Sequence, residues 1–386
     1  MRRSKLALFW ISIGPYHVSR LTALVSLPGL EVRGIGLCRN ETIRSWMTPA
    51  SQATTYETLH NGTYERTKSS LLESHVLKFL DRFQPDIVAT SGYAEAPMRA
   101  AVHWARRNNR ATILMSESNW YDRPRNWLKE FMKRYWVSRH YDAAFVGGEH
   151  SAAYLERLGL QRSKIWRGYD VTDNETFSRE AARARSQKRI LLLKLGLPEQ
   201  YFLYVGRFSP EKNLQRLLTA YSQYAHGVGN KAWGLVMVGS GPLESGLKTM
   251  ASSLGLSNVL WPGFQQTGLL PSYYALASCL ILPSLTEAWG LVINEAMACG
   301  LPILASERCG AGVDLIFPGL NGYLFNPYNV QEMSSLMEWM TSGQADAQAM
   351  GEISQMIITR YTPENWAKAL ADCVALTLMR RQQVIS

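Results

Sequence analysis

Short apolar runs separated by helix-length amphipathic segments recur along the whole chain, and this alternation constrains the fold more than any other feature. In the first half, runs at 6–12, 32–37, 87–89, 113–115, 143–146 and 165–167 read as strands, with helices over 18–25, 71–83, 94–107, 127–139 and 151–158. The second half repeats the scheme. Its strands are 202–205, 235–238, 259–261, 280–282, 303–305 and 323–325, and its helices include 213–224, 243–254, 291–299 and 331–340. Strands that take turns with helices form parallel sheets covered on both faces, because each helix carries the chain back to the starting end of the sheet. The expected class is therefore α/β with two doubly wound, Rossmann-like domains, and a length of 386 residues suits two domains. The stretch 179–189 is dense in Arg, Ala and Lys and reads as lacking an apolar stripe, so it is expected to be a linker or a solvated helix. That puts the domain boundary near residue 190.

Hydrophobic residues form 46% of the chain and charged residues 19%, which excludes disorder or a fibrous state for its bulk. No run approaches the roughly 18 apolar residues that a membrane-spanning helix needs. The opening Met1-Arg2-Arg3-Ser4-Lys5 and the apolar run after it imitate a signal peptide. That run stops at Gly14-Pro15 without a small-residue cleavage site, so a first buried strand explains it better. Cys38, Cys279, Cys299, Cys309 and Cys373 are scattered, form no Cys-x2-Cys pair, and read as reduced core residues of a cytoplasmic protein. Charge is unevenly spread: residues 1–190 hold 30 Lys and Arg against 18 Asp and Glu, whereas 191–386 hold 11 against 13. The basic half suggests an anionic partner, whether a membrane surface, a phosphorylated acceptor or nucleic acid. No zinc-knuckle, RNA-recognition or helix-turn-helix signature accompanies the charge, so nucleic acid is not expected as a partner; a basic nucleic-acid-binding protein is the rival reading of another class.

Open α/β sheets bind ligands beyond the carboxyl ends of their strands. After the strand ending at Val205, Gly206 permits a sharp turn, and Arg207 and Lys212 flank a place where two cations would offset a diphosphate. Two solvated surface cations are the alternative. Gly239 and Gly241, after the next strand, would let a ligand approach the backbone or simply make a tight turn. After strand 280–282, Glu287 and Ala288-Trp289 lie in a loop, Gly290 frees the turn, and a short helix aims the N–H groups of Gly290, Leu291 and Val292 at an anion. Glu295, one turn into that helix, would accept the hydroxyls of a ribose, and Glu287 those of a second sugar. For either glutamate alone a solvent-facing helix or loop position would be the simpler account.

The stretches YVGRFSPEKN, VMVGSGPLE, LPSLTEAWGLVINEAMACGLPIL and GLNGYLF, with GYDVTDNETF before them, resemble the donor domain of retaining glycosyltransferases of family 4, in glycosyltransferase group 1, over about residues 165–340. The resemblance implies a GT-B fold, two Rossmann-like domains facing a central cleft. Residues 1–190 would bind the acceptor and 191–360 the nucleotide-sugar donor, and a C-terminal helix in 361–386 would cross back to the first domain. It further implies Glu295 at the ribose, Arg207 and Lys212 at the diphosphate, Glu287 at the transferred sugar and Phe264 at the nucleobase. Gly14, in the loop after the first strand, would approach the phosphates from the opposite wall.

The implied activity is retaining, metal-independent transfer of a hexose from a nucleoside-diphosphate sugar to a glycan, lipid-linked or small-molecule acceptor. A UDP-sugar is favoured over a GDP-sugar, and no cofactor is expected beyond the donor itself. The chain shows no Asp-x-Asp and no His/Asp cluster for magnesium or manganese. Attack would come from the front face, with a donor phosphate oxygen receiving the acceptor's proton. Many relatives carry a histidine near the end of the fourth strand; here the region reads Met115-Ser116-Glu117-Ser118-Asn119, which makes Glu117 the substitute. His17, Arg123 and Arg125 are the candidates for holding an acceptor. The rivals among enzymes are an NDP-sugar epimerase or another GT-B enzyme such as a phosphorylase, and a non-catalytic sugar-nucleotide sensor is a further one. Helix 127–139 places Trp127, Leu128, Phe131, Tyr135 and Trp136 on one face, with Lys129, Lys133, Arg134 and Arg139 elsewhere. It reads either as an interfacial helix on the inner face of an anionic membrane or as a core-packed helix with solvated cations.

Overall fold

The computed structural model describes residues 3–42, 55–266 and 268–385. The chain forms two compact units, one of residues 1–120, 124–172 and 361–386, the other of 121–123 and 173–360. In the first, β1 (Ser4–Trp10), α1 (Pro15–Val25), β2 (Leu30–Gly36), β3 (Tyr56–Thr58), α2 (Ser69–Phe83), β4 (Ile87–Ser91), α3 (Ala96–Arg107), β5 (Ala111–Ser116), α4 (Trp127–His140), β6 (Ala143–Val146), α5 (Glu149–Arg157) and β7 (Ile165–Arg167) follow one another. The strands lie in the order β3-β2-β1-β4-β5-β6-β7, every neighbouring pair parallel. Alternate residues explain the two layers: Leu6, Leu8 and Trp10 of β1 enter one core, Ala7 and Phe9 the other.

In the second unit, α6 (Asn174–Ser186) and α7 (Lys188–Leu195) precede β8 (Tyr201–Val205), α8 (Leu214–Val228), β9 (Gly234–Val238), α9 (Glu244–Ser253), β10 (Val259–Gly263), α10 (Leu270–Leu276) and β11 (Cys279–Leu282). Then come α11 (Leu291–Ala298), β12 (Ile303–Ser306), α12 (Gly312–Leu315), β13 (Gly322–Phe325), α13 (Val330–Thr341) and α14 (Ala347–Ile358). This sheet is ordered β10-β9-β8-β11-β12-β13 and is also wholly parallel. Both units are Rossmann-like, as expected.

The last helix, α15 (Pro363–Ile385), belongs to the first unit. Trp366, Leu370, Cys373 and Val374 recur at helical spacing and are buried in the core that holds Leu6, Ile113 and Phe145. Burying side chains of this size contributes about 1.5–3 kcal/mol each for the larger ones. Among the described residues no helix is long and apolar enough to cross a membrane. All five cysteines are buried and free.

The boundary near residue 190 is not where the units divide: the second stretch of the first unit ends at Thr172, and α6 belongs wholly to the second unit. The expected lack of an apolar stripe in 179–189 overlooked alanine. Phe177, Ala181 and Ala184 share a helical face and are buried, and α6 packs against α10 and α11. Alanine adds little to a hydropathy pattern, yet it lets helices approach closely.

Candidate functional site

In the second unit the strand order reverses between β8 and β11, since β9 and β10 extend the sheet one way from β8 and β12 and β13 the other. Such a switch point leaves a crevice beyond the carboxyl ends of the two central strands. The loop leaving β8 carries Arg207 and Lys212, and the loop leaving β11 carries Glu287. Their side chains meet there: the Lys212 ammonium donates to the Glu287 carboxylate, each side chain 17% exposed. Ser284 Oγ donates to the same Glu287 oxygen at 3.2 Å. Burial opposes the Lys212 charge, but the facing Glu287 carboxylate outweighs it and holds the ammonium above its ordinary lysine pKa. Arg207 is exposed and, among the described residues, forms no ion pair.

Three loops are fastened to one another around this pair. Leu285 N donates to Glu211 O at 2.8 Å, joining the β11 loop to the β8 loop, and Gly310 N donates to Glu287 O at 3.0 Å, joining it to the β12 loop. Asn213 adopts a left-handed φ of 60° and its amide donates to Pro283 O at 3.1 Å and Pro327 O at 2.7 Å. α11 starts beside Glu287 with Gly290 at φ 101° and no side-chain cap, so its first N–H groups, those of Leu291 and Val292, head the helix at the switch point. Cys309 is buried beside the pair, and burial with the Glu287 charge pushes its thiol well above its usual range, which keeps it a neutral packing group.

The glycines after β9 leave no room for a side chain. A Cβ on Gly239 would lie 1.9 Å from Gly206 O, and one on Gly241 2.5 Å from Phe208 O. Here it is the backbone of the β8 loop that approaches. Trp289 likewise turns inward, 2% exposed, its indole N–H donating to Asn294 Oδ1 at 2.9 Å. Glu295 is 3% exposed and accepts from Tyr274 Oη at 2.7 Å. Phe264, directly after β10, is 56% exposed. Ala288, Leu291 and Val292 are half-buried.

In the first unit Gly14 caps α1 and Glu117 follows β5, both at carboxyl ends of strands. Glu117 is half-buried, and its backbone carbonyl accepts from Ser151 Oγ at 3.0 Å. His17 is buried: its Nδ1 accepts the Gly14 N–H at 3.0 Å and its ring lies 5.0 Å from that of Trp10, so it shapes the turn. Arg125 is also engaged internally. It donates to Tyr154 Oη at 2.8 Å and to the carbonyls of Trp120 and Asn119, with its guanidinium 4.4 Å over the Tyr154 ring. Arg123 remains exposed. Sequence reasoning passed over Ser284, Tyr274 and Asn213; Ser284 and Asn213 lie within the quoted motifs, but which groups they would meet depends on strand order.

On α4, Asn126 Oδ1 accepts the Leu128 and Lys129 N–H groups at 3.1 Å. Trp127 (80% exposed), Leu128, Phe131, Met132 and Tyr135 all face solvent. Trp136 does not share that face: it stacks on Tyr93 and His140.

Residues 193–356 match the family described as glycosyl transferases group 1. The sulfoquinovosyl transferase SQD2 of Arabidopsis thaliana is 24% identical over 314 residues, 77% of this chain and 58% of that protein. The D-inositol 3-phosphate glycosyltransferase of Rhodococcus opacus is 28% identical over 212 residues, 53% of this chain and 46% of that one. The chain thus spans about half the length of these curated relatives. Among solved structures, HepE of Anabaena in complex with UDP and glucose superposes with a TM-score of 0.73 at 16% identity, covering 97% of this chain and 100% of HepE, a likeness of fold.

Proposed function

Residues 193–356 of this chain belong to the glycosyl transferases of group 1, and from that premise we propose that the chain moves a hexose from a nucleoside-diphosphate sugar to a hydroxyl acceptor with retention of configuration. The observation that carries the reading is the Lys212–Glu287 pair spanning the switch point, with Arg207 and the uncapped start of α11 at the same strand ends. In the transfer, the bond from the anomeric carbon to a phosphate oxygen breaks and its electron pair leaves on the diphosphate. The acceptor oxygen bonds to the same face of that carbon, and its proton passes to a phosphate oxygen. Arg207, Lys212 and the first N–H groups of α11 stabilise the departing charge. An ammonium has three N–H bonds, so Lys212 can serve Glu287 and the diphosphate together.

Glu287 orients the hexose, Glu295 reaches the ribose, and Phe264 borders the base. A UDP-sugar is the favoured donor, in keeping with the UDP held by HepE. Thermal-shift measurements with UDP-, GDP- and ADP-sugars on the native chain and on R207A/K212A test this: the native chain is stabilised by one class and the variant by none. Absence of any shift overturns the donor reading, and an inverted linkage seen by proton NMR overturns retention.

The acceptor is proposed to be lipid-linked and met at an anionic membrane surface. The exposed aromatic face of α4 among Lys129, Arg134 and Arg139 supports this, since aromatic groups favour the interface and cations the anionic headgroups. Replacing Trp127 and Phe131 by serine should abolish sedimentation with phosphatidylglycerol vesicles; undiminished sedimentation refutes it. Arg123 is the remaining candidate for an acidic acceptor group.

A further inference from the structure

The loops discussed so far follow the carboxyl ends of strands, but a second concentration of charge lies at the amino ends of the first unit's sheet. Asp142 directly precedes β6, Lys164 precedes β7, and Arg106 and Asn109 close α3 ahead of β5. α15 adds Thr377, Arg380 and Arg381, and together these residues line a pocket of about 270 Å3. Four cations and a single carboxylate line it.

That carboxylate is already saturated. Asp142 Oδ1 accepts from Arg106 Nη1 at 3.0 Å, and Oδ2 accepts from Arg381 Nη1 at 2.8 Å, Thr112 N at 2.9 Å and Thr112 Oγ1 at 3.1 Å. Asp142 therefore fixes two guanidinium groups while cancelling a single charge. Arg381 Nη2 is held by Asn109 Oδ1 at 2.7 Å, and Arg380 Nη1 by Ser163 O at 3.0 Å, next to Lys164. Lys164 forms no ion pair among the described residues. Fixed cations that converge repel one another, and an anion with several oxygens relieves the repulsion while accepting their remaining N–H groups.

We infer that this pocket binds a small phosphomonoester, a second anion site at the opposite end of the sheet from Gly14 and Glu117. Its volume of about 270 Å3 lies just below the usual range of ligand pockets, roughly 300–1,000 Å3, which suits a phosphate with a short body such as a glyceryl group. The ligand bridges α3, the starts of β6 and β7, and α15, and so fastens the C-terminal helix to the sheet. The inference is independent of the glycosyl-transfer reading.

The test is calorimetry of the full chain with glycerol 3-phosphate, carried out on R207A/K212A so that the donor loops contribute nothing. That variant binds. Adding K164Q/R380Q weakens binding at least tenfold, whereas K164R/R380K keeps it within threefold. The ligand-free melting temperature of the Gln variant is unchanged or raised, since repulsion is relieved. Phosphatidylcholine vesicles with and without phosphatidate separate the two sources of the same chemistry: loss of phosphatidate-dependent sedimentation in K164Q/R380Q identifies a lipid headgroup, and binding of glycerol 3-phosphate alone a soluble metabolite. Binding of neither probe, or binding indifferent to K164Q/R380Q, overturns the inference.

Discussion

Replacing Lys212 by methionine keeps most of the apolar stem of the side chain and removes the ammonium, with its charge and its N–H donors. With each partner 17% exposed, the Lys212–Glu287 pair lies between surface and interior. Two unit charges about 4 Å apart attract by about 4 kcal/mol at an effective dielectric of about 20, and partial desolvation returns a share of that. A net coupling of about 1–3 kcal/mol remains, and a loss of that size lowers the melting temperature of a domain this large by about 2–4 °C per kcal/mol. Catalysis should suffer more. A preorganised donor facing developing charge is worth about 2.7–4 kcal/mol, so kcat of K212M should fall about 100- to 1,000-fold. E287Q and K212M/E287Q complete a cycle read by thermal unfolding and by transfer rate. Additive melting shifts, with coupling below about 0.5 kcal/mol, or a kcat of K212M within threefold of the native value, would refute the reasoning.

Gly239→Ala must displace the β8 loop, because its new carbon would lie 1.9 Å from Gly206 O; stability should fall by about 1–3 kcal/mol together with donor affinity, and unchanged urea midpoints would contradict the packing described. Tyr274→Phe takes a donor from the buried Glu295 carboxylate, for an expected loss of about 1–3 kcal/mol and a raised KM for donor; a native melting curve would count against that bond. The raised pKa of Lys212 fixes a pH dependence: its stabilisation is complete below the ordinary lysine value of 10.5 and fades only as pH climbs through the higher folded value. The melting difference between the native chain and K212M should thus hold steady from about pH 7 to 10. Shrinkage between pH 7 and 9 would rule the coupling out.

Local periodicity was enough to find most strands and most helices, because whether a residue faces a core is repeated every two or 3.6 positions and needs no knowledge of distant partners. It found β1 as the apolar run 6–12, and it placed Arg207, Lys212 and Glu287 on loops at carboxyl ends of strands. Short or weakly patterned elements escaped it: the three-residue β3, the buried turns α10 and α12, and α6, whose stripe is mostly alanine. The sequence by itself therefore determined the class of fold and the loops on which the chemistry would sit. Which groups those loops bring together was decided only by the order of the strands. Gly239 answers to the Gly206 carbonyl, Arg125 to Tyr154, and Trp136 to Tyr93, none of them a partner that spacing along the chain could announce. The same holds for Arg106, Asp142, Lys164 and Arg380, which come from four separate segments and converge because a parallel sheet returns every strand start to one end.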